Sequence, residues 1–295
     1  MLDREKRDWP WPKWRGEALQ CKRLLIHTEQ GFGDALQFVR LLPRLKASGA
    51  TLFLEAQTEL ISLFAGIAGI DHLIPRGRPF PAVDFQIPLM SLPHRLELTL
   101  ENLPAPVPYL TAAPTGIALW AERLADLSPP RIGLCWQGGR GHDVDLWRSA
   151  SLLQFMPVIE AAQTASFLSL QKVDDRAEIE AAGLVVKVRS VAKELDDFAD
   201  TAGLIANLDL VITVDTAVGH LAGALGKPVW LLLAEAADFR WMRNRSDSPW
   251  YPHHCLFRQR QNGDWRAPIA DMAGLLPQFL AEIRESRGSL IRPQI

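Results

Sequence analysis

The stretch 210–230, "LVITVDTAVGHLAGALGKPVW", decides the fold. Its first five residues are apolar but for Thr213 and show no alternation, which reads as a strand buried on both faces. Asp215 and Thr216 end that strand, and a helix begins at once. Ala217, Gly219, Ala222, Gly223 and Ala224 keep this helix thin, so it can lie close on a sheet. Gly226 closes it, and "PVWLLL" starts the next buried strand. Two such strands joined by a helix are parallel neighbours, and a parallel sheet needs helices on its faces.

The turn between strand and helix is also a candidate site. A helix start offers N–H groups without intrahelical partners and about half a positive charge, which suits a diphosphate. Thr216 adds a hydroxyl. The same pattern fits an ordinary turn capped by Asp215 or Thr216. His220 lies one turn further on, where a lone histidine is more often structural.

A second turn of this type is "LIHTEQGFGDALQF", 25–38. Its Gly-x-Gly lacks the third glycine of the dinucleotide fingerprint. Asp34 fits the N-cap of a helix expected from Asp34 to about Lys46. Gly31 and Gly33, after Gln30, let a ligand or another backbone come close. A carboxylate at this point would face a cleft.

Around these turns the chain alternates strand and helix. Strands are expected at 23–28, 51–57, 71–75 and 83–92, then at 131–138, 165–172, 184–188, 210–215 and 228–233. Prolines crowd 102–114 and mark a boundary. The expected domains are a lead-in at 1–22, an N-terminal α/β domain at 23–114, a C-terminal one at 115–285 and a loose tail at 286–295. Ligands on open α/β sheets bind beyond the carboxyl ends of strands. The exits at 28–34, 136–148, 171–176, 215–220 and 234–250 are therefore the places to search. They carry Arg140, His142, Arg148 and Lys172, cations that together suit an anion. They also carry Arg240 and Trp241, placed to meet a ribose or base.

Bulk composition narrows the options. The chain has 295 residues, 48% of them hydrophobic, and a formal net charge of −2. That balance calls for neither nucleic acid nor an anionic membrane. Cys21, Cys135 and Cys255 are widely spaced, so neither a disulfide framework nor a metal site is expected. His253 and His254 point to opposite sides if extended and cannot readily share an ion. No run is long and apolar enough for a membrane span, and the charged, aromatic start is unlike a signal peptide. A cytoplasmic location is expected, with peripheral membrane contact still open.

"GFGD" at 31–34 and "VDTAVGHLAGALGKPVWLLL" at 214–233 resemble glycosyltransferase family 9, the lipopolysaccharide heptosyltransferases. "FLSLQK", "DFADTAGLIANLDLVITVD" and "DSPWYP" are similar to a branch found at the end of bacterial tetratricopeptide-repeat proteins. The resemblance covers roughly residues 12–270. It implies a GT-B-like α/β fold, two Rossmann-like domains with parallel sheets facing across a cleft. The N-terminal domain would hold the acceptor and the C-terminal one the donor. It implies an inverting, metal-independent glycosyltransferase without cofactor, using a nucleotide-diphospho-sugar. Carried onto this chain, it makes Asp34 the general base and puts Asp215, Thr216, Ala217 and Val218 by the donor diphosphate. The acceptor would be a glycan, lipid-linked or protein hydroxyl, with a helical-repeat protein as partner. The loop "GGRGHDVDLWRS" departs from the family's pattern. A non-catalytic module binding nucleotide, glycan or protein is the alternative.

Overall fold

The computed structural model describes residues 7–104, 106–139 and 148–291, with side chains as far as residue 285. Among the described residues, two sheets form. β1 (Arg23–His27), β2 (Thr51–Ala56), β3 (His72–Pro75) and β4 (Phe85–Pro88) make the first, in the order β3-β2-β1-β4. β5 (Arg131–Cys135), β6 (Ser166–Ser169), β7 (Val188–Ser190), β8 (Leu210–Val214), β9 (Val229–Leu233) and β10 (His254–Arg258) make the second, in the order β10-β9-β8-β5-β6-β7. Every pairing within both sheets is parallel.

Both sheets are wound the same way. The chain steps outward from β1 to β3 and then returns to the other side of β1 for β4. It steps from β5 to β7 and returns to the other side of β5 for β8. Each reversal leaves a crevice where the flanking connections diverge, and ligands enter open α/β sheets there. The two crevices lie beyond β1 and beyond β5 and β8.

The helices that set the site are α1 (Phe32–Phe38), α2 (Pro114–Arg123), α3 (Phe198–Ala206), α4 (Ala217–Ala224) and α5 (Arg266–Ile291). α1 packs directly on α4, so the two domains meet through these helices. Their apolar faces share one core, with Leu36, Phe38 and Val39 of the first domain joining Leu221, Ala222 and Ala224 of the second. α2 packs on α3, where Gly116 and Gly203 let the backbones touch. α3 begins on Asp197, whose carboxylate accepts from the N–H groups of Ala199 and Asp200 at 2.7 and 3.0 Å. α4 ends as expected, with Gly226 at φ +72° just past its cap.

Several expectations need correction. The single helix expected at 34–46 is three pieces: α1, a 3₁₀ turn at Val39–Leu41, and a helix at Leu42–Lys46 that carries Pro43 in its first turn. Proline lacks the N–H that an unbroken helix would need there. α1 starts at Phe32, so Asp34 is not the N-cap: Gly31 is. The strand expected at 184–188 forms at Val188–Ser190, and β10 was not expected at all. The N-terminal lead-in covers the second face of the first sheet. Trp9 and Trp11 pack there with Phe80 over Leu25, Phe53 and Val83, taking the place of a helix.

Candidate active site

Asp34 and Thr216 line one cleft of about 590 Å³ between the domains. Asp34 arrives on α1, just beyond β1. Thr216 caps α4, just beyond β8. The cleft thus lies where both sheets reverse their winding. Gln30, Gly31, Gly33 and Asp34 form one wall; Asp215, Thr216, Ala217 and His220 form the other; Arg148, Arg240 and Asp238 also border it.

The Asp34 carboxylate is held at both oxygens. Oδ2 accepts the Gly31 N–H at 3.1 Å, closing the first turn of α1. Oδ1 accepts from Nη2 of Arg240 at 2.6 Å. Arg240 uses all three edges of its guanidinium. Nε donates to Asp238 Oδ1 and Nη1 to Gln37 Oε1, both at 2.7 Å. Burial disfavours its charge, but the Asp34 and Asp238 carboxylates outweigh that and raise its pKa above the ordinary value. Trp241, expected beside it in a nucleoside pocket, is buried instead, stacked on His220 at 5.3 Å and His254 at 5.8 Å.

On the opposite wall, Thr216 starts α4 without spending its hydroxyl on a cap. The hydroxyl lies 2.9 Å from that of Thr213. The first N–H groups of α4, from Ala217 and Val218, have no acceptor within the helix. Ala217 borders the cleft; Val218 lies half-buried beside it. The Asp215 carboxyl is pushed up chiefly by burial, against the Trp241 indole and the Arg240 charge. Such a wall, N–H groups with a hydroxyl and an arginine, can hold an anion.

His220 forms the floor, and burial puts its pKa well below the ordinary 6.5. A neutral imidazole results, with Nδ1 2.9 Å from the Tyr251 hydroxyl. Tyr251 in turn lies 3.4 Å from the hydroxyl of Tyr109, which donates to the Leu36 carbonyl at 2.9 Å. His220 therefore ties the cleft floor to the linker rather than supplying charge.

Other expected residues fall elsewhere. Lys172 is exposed and outside the cleft, its Nζ donating to the Asp196 carbonyl at 3.0 Å. Arg140 and His142 lie outside the described residues. Cys135 ends β5, and burial pushes its thiol up to about 11, as suits an inert group. Among the described residues, no three His, Cys, Asp or Glu side chains cluster to hold a metal, and no helix is long and apolar enough to cross a membrane.

Gln57, Arg76 and Asp238 of the cleft, and Glu29 beside it, were not among the sequence candidates. Gln57 and Arg76 border the cleft from the exits of β2 and β3. The strand-exit rule applied to those two strands would have found them. Arg76 donates to the Thr28 carbonyl at 2.8 Å, and Gln57 to the Gln30 carbonyl at 3.2 Å. Glu29 precedes the glycine turn. Its Oε1 accepts the Met90 N–H at 3.0 Å, while its buried Oε2 has no partner among the described residues.

Comparison with known proteins places this geometry in context. Residues 145–250 match the model of glycosyltransferase family 9 (heptosyltransferase). That span includes Thr216 and Arg240 but not Asp34. The protein FlbA of Caulobacter vibrioides is 30% identical over 296 residues, an alignment covering 92% of this chain. The chain spans about half, 49%, of that relative's length. Among solved structures, E. coli ADP-heptose lps heptosyltransferase II is 15% identical at a TM-score of 0.62, covering 90% of this chain and 99% of that one. The family 9 glycosyl transferase of Veillonella parvula is 13% identical at 0.65, covering 91% and 98%. The α/β fold is thus GT-B-like, two parallel sheets facing across a cleft.

Proposed function

We propose that this cleft transfers a sugar from a nucleotide-diphospho-sugar to a hydroxyl acceptor, with inversion and without a metal, and that Asp34 is the general base. The observation that carries this reading is the shared cleft, with the Asp34 carboxylate on one wall and the α4 helix start with Thr216 on the other. The match to the family 9 model and the GT-B-like fold support a glycosyltransferase. A solved neighbour, an E. coli heptosyltransferase at TM-score 0.56, holds ADP-2-deoxy-2-fluoro heptose, which supports a nucleoside diphosphate as the leaving group.

The acceptor oxygen attacks the anomeric carbon from the α1 side. Its proton passes to Asp34 as the new C–O bond forms. The bond to the diphosphate breaks, and its electron pair leaves with the nucleoside diphosphate. The α4 N–H groups, Thr216 and Arg148 stabilise that growing charge, and preorganised donors of this kind each contribute about 10²–10³-fold. Proton removal by a placed carboxylate contributes roughly 10²–10⁴-fold. His220, its pKa held down by burial, does not compete for the proton. The acceptor is a glycan, lipid-linked or protein hydroxyl, and we include a helical-repeat partner that presents it.

Asp34→Asn tests the reading. Transfer should fall by roughly 10²–10⁴-fold while nucleoside diphosphate binding, followed by calorimetry, persists. Near wild-type transfer in that variant would remove Asp34 as base. The second reading, a binding module without catalysis, draws on the fact that both Asp34 oxygens already hold donors. Nucleotide binding with no turnover by the intact chain would favour it.

A further inference from the structure

We propose that Arg240 is the positioning residue of this site: it sets the Asp34 carboxylate from across the domain boundary, so the base is assembled only when the two domains are closed. This rests on the reading of Asp34 as base and names what controls it.

Arg240 belongs to the C-terminal domain, in the 3₁₀ turn Phe239–Trp241, while Asp34 and Gln37 belong to α1 of the N-terminal one. Asp34 and Gln37 are three residues apart on one helix face, so one planar fork can meet both. The guanidinium does so at 2.6 and 2.7 Å and is braced from its own side by Asp238. Its side chain is 7% exposed and that of Asp34 13%. Gln37 is wholly buried. It gives its carbonyl oxygen to Arg240, and its buried Nε2 has no partner among the described residues. A buried amide left half-satisfied is costly, so this cradle is shaped around the guanidinium rather than around α1 itself.

The contact fixes geometry at the reacting end. With Gly31 on Oδ2 and Arg240 on Oδ1, the carboxylate cannot rotate, and each oxygen still has a lone pair for an incoming proton. Loss of the Arg240 bond frees the side chain to turn. Small misplacements of a catalytic group are expensive in rate. If the domains part, Arg240 leaves with its domain and Asp34 loses its orientation. Proton abstraction is then confined to the closed cleft, where the donor wall stands opposite.

The test compares wild type, Arg240→Gln, Arg240→Lys, Asp34→Asn and the Asp34→Asn/Arg240→Gln double variant. Each is assayed for transfer or sugar-nucleotide hydrolysis, and each for nucleoside diphosphate affinity by calorimetry. Arg240→Gln should lose at least about 100-fold in kcat with nucleotide affinity changed less than about threefold. Adding it to Asp34→Asn should cost nothing more, because both remove the same function. Arg240→Lys should recover part of the rate, since an ammonium can reach Asp34 but cannot also hold Gln37 and Asp238. Retained affinity in the variants shows that they fold. Additive losses in the double variant would overturn the proposal, as would weakened nucleotide binding with kcat intact, which would make Arg240 a donor ligand. A wild type active with sugar nucleotides separates these outcomes from failure of the function itself. A wild type that binds nucleotide but never turns over removes both.

Discussion

Gly33 on α1 lies against the imidazole of His220 on α4, so close that a Cβ at position 33 would fall 2.7 Å from His220 Cδ2. Carbon atoms do not pack at that distance. The two domains therefore meet, at the floor of the cleft, through a residue with no side chain. His220 cannot easily give way, because Tyr251 holds its Nδ1 and Trp241 stacks on its ring.

Gly33→Ala should accordingly destabilise the protein by about 1–3 kcal/mol, although alanine is the better helix former. Chemical denaturation reads this directly. The wedge should also part α1 from α4 and depress transfer. A variant as stable and active as wild type would show that the helices are not locked at this point.

Glu29 predicts an unusual pH dependence. Burial holds its carboxyl up to about 7, against the pull of backbone N–H groups from Met90, Glu29 and Leu89, with a smaller push upward from the Asp34 charge. The unfolded chain releases this proton near its ordinary 4.5. Between the two values the folded state binds more protons, so this group's contribution to stability falls as pH rises through that window. The full change is up to roughly 3 kcal/mol. Glu29→Gln should remove it. His27 acts in the opposite sense, since burial holds its imidazole down to about 4 and stability is lost as pH falls from 6.5 toward that value. The difference between wild type and Glu29→Gln cancels His27 and isolates Glu29. A pH-independent difference would contradict the assignment.

Arg7 should matter more than its place near the chain start suggests. Its Nη1 lies 2.6 Å from both oxygens of Glu55, a β2 carboxylate whose side chain is 1% exposed. Its Nη2 donates to the Thr28 carbonyl at 3.0 Å, the same oxygen that Arg76 holds from the cleft side. Arg7→Ala leaves a buried carboxylate unpaired and should cost about 3–5 kcal/mol. Glu55→Gln added to Arg7→Ala should recover part of that loss. If Arg7→Ala unfolds at the wild-type denaturant midpoint, the lead-in does not support the first sheet.

Local order was legible in the chain. "LVITVD" and "RLLIHT" hold short β-branched and leucine-rich apolar runs without alternation, which suit strands buried on both faces. The glycine turns at 31–33 and the small residues of α4 announce close backbone approach. These signals depend on neighbours a few residues apart, so periodicity exposes them. β10 was missed because "HCLFR" puts a histidine and an arginine into a short strand at the sheet edge. Its His254 is buried in an aromatic stack with Tyr251 and Trp241 that no local pattern announces.

The sequence by itself determined the two βα turns, the parallel α/β character of each half and the candidacy of Asp34 and Thr216. Those follow from hydrophobic period, glycine and strand exits, which are short-range properties. Only the tertiary structure decided that Arg240 pairs with Asp34, that Lys172 stands apart from the cleft and that burial holds the His220 pKa down. Asp34 and Arg240 are separated by 206 residues. A salt bridge over that distance exists because α1 packs on α4 and brings the 3₁₀ turn with it, and burial then sets which charges survive.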